Sequence, residues 1–192
     1  MITRKVKQQY ENYVDVKAGD LELSNQLVKT AMLSEAESDS AEKIVRGSVV
    51  SLNEEGKFKL GCPVGSGNIY PMPMFARKNA YDPDVMTGAV GESTGETLAT
   101  SVVGGRMAAY VATGGFELES SEFDKAATYK VNMALTADAA GKVVPAGSGT
   151  VYGNQTVLGI VSQVPFRSKA SFNVYGTGNN RICFWTTFFP GK

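Results

Sequence analysis

The chain has 192 residues, balances 19 Lys and Arg against 19 Asp and Glu, and contains no histidine. A formal charge of zero argues against a protein whose main work is gripping nucleic acid or an anionic membrane by charge. Without histidine the Ser-His and Cys-His nucleophile systems are excluded, and the usual zinc and haem ligand is missing.

An apolar fraction of 43% supports a packed core, and the length suits one domain with or without an appendage. The 21 glycines, scattered between short β-branched runs, point to many turns joining short strands. Cys62 and Cys183 lie far apart and form no CxxC; they bridge only if the fold brings their Cα atoms within about 7 Å, and otherwise read as free thiols of a reducing compartment. The first residues are charged and polar rather than leader-like, and no apolar run approaches the ~20 residues of a membrane span. The expectation is therefore a soluble, unprocessed product with no cofactor and no metal.

Residues 1–44 differ in kind from the rest, with one glycine and no proline. Leu23, Leu27 and Ala31 share a helical face, so the spacing predicts a helix over 21–38 with Asp20 as its N-cap. Tyr10, Tyr13, Val14 and Val16 add a few apolar anchors among charges. So little hydrophobic surface predicts an arm that gains order on a neighbouring subunit or surface, the other reading being an ordinary N-terminal helix packed on its own domain. Arg4, Lys5 and Lys7 read as a solvated face.

From residue 45 onward the pattern is β. Val49–Leu52 and Lys57–Leu60 flank Asn53-Glu54-Glu55-Gly56 as a hairpin, with Gly56 at the φ > 0 position. Gly61–Pro73 reads as loop, and Met72, Met74 and Phe75 as core filling. Residues 79–105 form a long turn-rich segment, a length usually tied to function. Asp82 and Asp84 within it lack the further ligands of a calcium loop. Met107–Val111 and Phe116–Glu119 are expected to pair across Gly114-Gly115. Glu117 and Glu119 share a strand face, an arrangement that is usually solvated rather than a glycosidase pair.

Tyr129–Leu135 alternates with period two and predicts a half-buried strand. Val143-Val144 predicts a short strand stopped by Pro145, and Val157–Val161 a buried strand ending before Pro165. Phe184, Trp185, Phe188 and Phe189 fall on both faces of one extended tail segment, which must then be covered twice, by its own sheet and by something else. Gly65-Ser66-Gly67, Gly176-Thr177-Gly178, Gly56-Lys57 and Gly141-Lys142 lack the context of nucleotide loops. These residues give an enzyme no foothold.

The order Phe123-Asp124, Thr128-Tyr129, Ala134-Leu135-Thr136, Gly141-Lys142-Val143, Leu158-Gly159-Ile160-Val161-Ser162, Tyr175-Gly176 and Cys183–Pro190 resembles the capsid decoration (cement) proteins of tailed bacteriophages. It covers the last third of the chain and, more loosely, reaches back to the Gly47–Gly61 hairpin. The resemblance implies a mainly β fold, a small antiparallel barrel or sandwich of β-tulip type over 45–192; the partly helical or extended arm over 1–44, read from its own residues, exceeds what a minimal domain of that family needs. It also implies a non-enzymatic virion protein on the outer head surface that bridges subunits of the phage major capsid protein. Self-association follows from it too, as a homo-oligomer with a trimer favoured over a dimer, and with neither nucleic acid nor membrane as partner. The expected contact residues are Tyr10, Tyr13, Leu23 and Leu27 on the arm and Phe184, Trp185, Phe188 and Phe189 on the tail. Two rival readings are a carbohydrate- or small-ligand-binding β-barrel using the 79–105 loop, and a phage tail-tube or fibre-base subunit.

Overall fold

A computed structural model describes residues 13–19, 28–32, 44–77, 106–112, 114–147, 155–167 and 178–191. Among them are eleven strands and no helix: β1 (Val14–Gly19), β2 (Val28–Met32), β3 (Val49–Leu52), β4 (Phe58–Leu60), β5 (Met74–Ala76), β6 (Arg106–Val111), β7 (Phe116–Ser120), β8 (Ala134–Ala137), β9 (Val143–Pro145), β10 (Val157–Phe166) and β11 (Arg181–Phe189). They form a six-stranded sheet, β1-β7-β11-β10-β8-β9, and a five-stranded sheet, β2-β6-β5-β3-β4. Every pairing between these strands is antiparallel. The mainly β expectation holds, but its barrel form does not: the described residues make two separate sheets and no closed barrel.

The inner faces meet in one core. Phe116, Leu118, Leu158, Val161, Ile182 and Phe184 come from the six-stranded sheet, and Val49, Phe75 and Tyr110 from the other. Rings dovetail across it, Phe75 against Phe184 at 5.3 Å between centroids and Tyr110 against Phe116 at 6.4 Å. Because side chains alternate along a strand, residues next to these point the opposite way. In the five-stranded sheet they make a second buried cluster of Ala31, Ile44, Val50, Phe58, Met74, Ala76 and Ala109.

The 49–60 hairpin forms as expected, with Val50 opposite Leu60 and Leu52 opposite Phe58. Its turn is set by local chemistry. Asn53 Oδ1 accepts from the amides of Glu55 and Lys57, and Gly56 sits at φ 73°.

Four expectations are corrected. The helix over 21–38 gives way at Val28–Met32 to strand β2, which pairs with β6 (Val28 opposite Tyr110); Leu23, Leu27 and the flanks lie outside the described residues. Ladder bonds and burial on β6 outweigh a modest helical preference. The 107–111 and 116–119 strands both exist but do not pair. Gly114 and Gly115, at φ 98° and 89°, carry the chain from β6 in one sheet to β7 in the other, so the two strands face each other across the core.

The alternating Tyr129–Leu135 segment is a strand only from Ala134. Before it the chain turns: Met133 N donates to Lys130 O, Asn132 takes φ 68°, and Val131 is 54% exposed. The Asn132 amide donates to Val161 O, so the backbone is satisfied on β10 without a regular ladder. Finally, β10 continues through Pro165 to Phe166. Its pairing with β8 covers only Gly159 and Ile160, leaving the far half paired to β11 alone, where a residue without an N–H is tolerated.

Two stretches of the expected arm are sheet strands. β1 lies at the edge of the six-stranded sheet beside β7, and Val14 is fully buried. Residues 1–12 and the 79–105 loop lie outside the described residues. Among the described residues, no helix is long and apolar enough to cross a membrane.

Candidate interaction surface

The tail segment becomes β11, third in the six-stranded sheet between β7 and β10. Its alternation divides its aromatics. Phe184 points inward and is fully buried, so it is a core residue rather than a surface contact. Gly159 on β10 makes room for it, since a Cβ there would stand 2.7 Å from the Phe184 ring. Trp185 points outward and is 45% exposed, Phe189 is 40% exposed, and Phe188 is half-buried.

Register places Trp185 opposite Ile160 of β10 on one side and Glu117 of β7 on the other. Directly opposed residues bring their side chains together on one face. Ile160 is exposed as well, and Val164 is exposed further along β10. Single exposed apolar residues are ordinary, but several on two adjacent central strands make a patch. Ser162 Oγ donates to Glu117 Oε1, tying that carboxylate beside the indole. Ile160, Val164 and Glu117 were not among the expected contacts. The signal for Ile160 was the period-two pattern along β10, masked by a run that is apolar on both faces.

Beyond this patch the same sheet carries a charged cluster. Glu119 is shared between Lys17 at 3.4 Å and Arg181 at 3.5 Å. Lys17 also lies over the Phe166 ring, 5.0 Å from its centroid. Tyr13 is held inside the chain's own fold, with Arg46 at 5.0 Å and Arg181 at 4.5 Å from its ring centre. Its amide donates to Ser121 Oγ at 2.7 Å, and its carbonyl accepts from Ser121 N at 2.9 Å. Arg46 donates to Val14 O through both Nε and Nη2. Burial first, then Asp15 and Glu119, pushes the Tyr13 hydroxyl above its ordinary pKa. Burial pulls Arg181 down while Glu119 opposes it. These contacts pin the start of β1. Tyr10, Leu23 and Leu27 lie outside the described residues.

Both cysteines are free and buried. Burial pushes the Cys183 thiol up to about 11 despite Lys17 nearby, and Cys62 to about 12, so neither is a thiolate at neutral pH. Among the described residues no group of three or more His, Cys, Asp or Glu could hold a metal. Glu117 and Glu119 are engaged by Ser162 and by Lys17 with Arg181 respectively. Asp82 and Asp84 lie outside the described residues. A second surface feature is a cleft of about 350 Å³ between Asn53-Glu54 and the 63–72 loop, rimmed by exposed Val64, Ile69, Tyr70 and Met72.

Comparison of the chain with protein-family models, with curated proteins and with solved structures gives no match.

Proposed function

We propose that this chain is a structural protein of a tailed-phage virion that binds the outer surface of the head and stabilises the shell by bridging neighbouring major capsid protein subunits. The observation that carries the reading is the open apolar face of the six-stranded sheet, where Trp185 and Ile160 stand exposed on central strands. A rigid sheet offering an aromatic anchor suits a flat protein surface, because little side-chain freedom is lost on docking. The sandwich-like form of the expected fold and the residue pattern over 123–190 are consistent with this role.

In this reading no residue is catalytic, and the protein is made in the host cytoplasm and resides on the outer capsid. Its partners are the shell protein and further copies of itself, as a trimer in preference to a dimer. Modest contacts from each copy then add through the oligomer, raising affinity without any new type of contact. Tyr10, ahead of β1, and Leu23 and Leu27, between β1 and β2, would add contacts at subunit junctions.

The test is quantitative mass spectrometry of density-purified particles, counting copies of this chain per copy of the main shell protein. A simple ratio near one, or a simple fraction of it, is expected. A handful of copies would move the chain to the tail, and none would end the virion reading. The small-ligand reading finds support in the cleft beside Tyr70. Glycan-array binding with a ligand-induced rise in melting temperature would favour it over the head surface.

A further inference from the structure

The apolar patch carries one charged group whose balance differs from that of its neighbours. On the outer face of the six-stranded sheet, Glu119 is paired with both Lys17 and Arg181. Glu117, two residues earlier on the same strand, has Ser162 as its hydrogen-bond partner and, among the described residues, no cation. It stands directly across from the exposed indole of Trp185. A carboxylate fixed in place beside a half-exposed indole offers an incoming cation two attractions at once, a ring face and an opposite charge. The Ser162 hydroxyl already orients the carboxylate, so less freedom is lost when a partner binds.

From this geometry we infer that the Trp185–Glu117 pair is a receptor for an arginine side chain carried on an apolar segment of the shell protein. The inference rests on the head-surface reading above and names the chemistry of the partner. Arginine fits better than lysine because its planar guanidinium stacks on an indole and meets a carboxylate through two parallel N–H bonds. Ile160, on the other side of Trp185, receives the apolar residue next to that arginine. A second copy of this face is a poor occupant. Lys17 and Arg181, the two cations paired on this face, are already held by Glu119, so neither is left over for the Glu117 of a second copy.

Trp185 is the single tryptophan of the chain, so fluorescence excited at the red edge, where the eight tyrosines do not absorb, reads this site alone. Titrating the full-length protein with the capped tripeptide Leu-Arg-Leu should change the emission saturably. Leu-Glu-Leu should leave it unchanged, and Glu117→Gln should weaken the Arg response about fivefold, the range of a solvent-accessible ion pair. Equal responses to the two peptides, or an unaltered Glu117→Gln titration, would overturn the inference. Pelleting with purified heads separates this failure from that of the wider reading, with circular dichroism checking that each variant is folded. Loss of pelleting in both Trp185→Ala and Glu117→Lys supports the receptor. Loss in Trp185→Ala alone refutes arginine recognition but keeps the surface. Loss in neither refutes both. A dimer seen by sedimentation and abolished by Trp185→Ala would reassign the face to self-association.

Discussion

The two sheets share an inner core but treat their outer faces in opposite ways. Behind the five-stranded sheet, Val50, Phe58, Met74, Ala76 and Ala109 form a second buried cluster, with Phe58 fully covered. On the outside of the six-stranded sheet, Trp185 and Ile160 remain open, beside ionic pairs at Glu119. The chain therefore has enough apolar sequence to close one outer face and leaves the other uncovered. Burial of an aromatic side chain contributes several kcal/mol, so an uncovered one on a central strand is a cost that a binding partner can remove. Contact with a partner is therefore expected on the open face of β10 and β11.

Substitutions test that contrast most sharply at paired positions. Phe58→Ala should cost about 3–5 kcal/mol of unfolding free energy, as expected for a large-to-small change in a closed core. Trp185→Ala, on the other outer face, should cost less than about 1 kcal/mol. Urea denaturation of both variants measures the gap, and equal losses would mean that the two outer faces are equivalent. Gly159→Ala should cost about 1–3 kcal/mol, because its new methyl meets the Phe184 ring that the shared core holds in place. A melting temperature equal to that of the parent protein would show that this ring has room to move.

The corner that receives the start of β1 supplies a pH test. Burial raises the Glu122 carboxyl above the usual range, with the Ser121 hydroxyl, Lys142, Lys125 and Arg181 acting in the opposite direction. A raised folded-state pKa means that the folded protein holds this proton more tightly than the unfolded chain does. Its contribution is therefore fully present below the unfolded pKa and is lost as pH rises through the folded one. Glu122→Gln should then stabilise the protein at neutral pH and flatten its stability profile in the acidic range just above the ordinary glutamate pKa. Denaturation midpoints across that range decide it, and an unchanged slope would contradict the assignment. The smallest effect is expected at Ser51, whose buried Oγ has no hydrogen-bond partner among the described residues. Ser51→Ala should be neutral or stabilise by up to about 1 kcal/mol, read as a small rise in melting temperature.

What could be read from sequence follows the range of the interactions involved. The 49–60 hairpin was legible because its turn is made by Asn53 and Gly56 within the turn itself. The tail was legible as a strand because four aromatics in a short run have few other uses. Strand β2 was not, since its structure is decided by β6, which lies far along the chain. The period-two pattern of 129–135 misled because Tyr129 is buried for a different reason. Its hydroxyl bonds to Asp124 O and Val143 O, anchoring a turn rather than a strand. At the surface, the tail aromatics were named together, and only sheet register could assign Phe184 to the core and Trp185 to the outside. In the sequence Glu117 reads as a solvated residue on a strand face. Its place opposite Trp185 depends on the pairing of β7 with β11, which no local pattern encodes.

The most direct test of the central claim is oxidative footprinting of Trp185 in the free protein and in the protein bound to purified phage heads. The account predicts ready oxidation of Trp185 in the free protein, where it is 45% exposed, and strong protection on the particle. Equal oxidation of Trp185 in both states would contradict it, because the open face of the six-stranded sheet would then not be the surface that meets the shell.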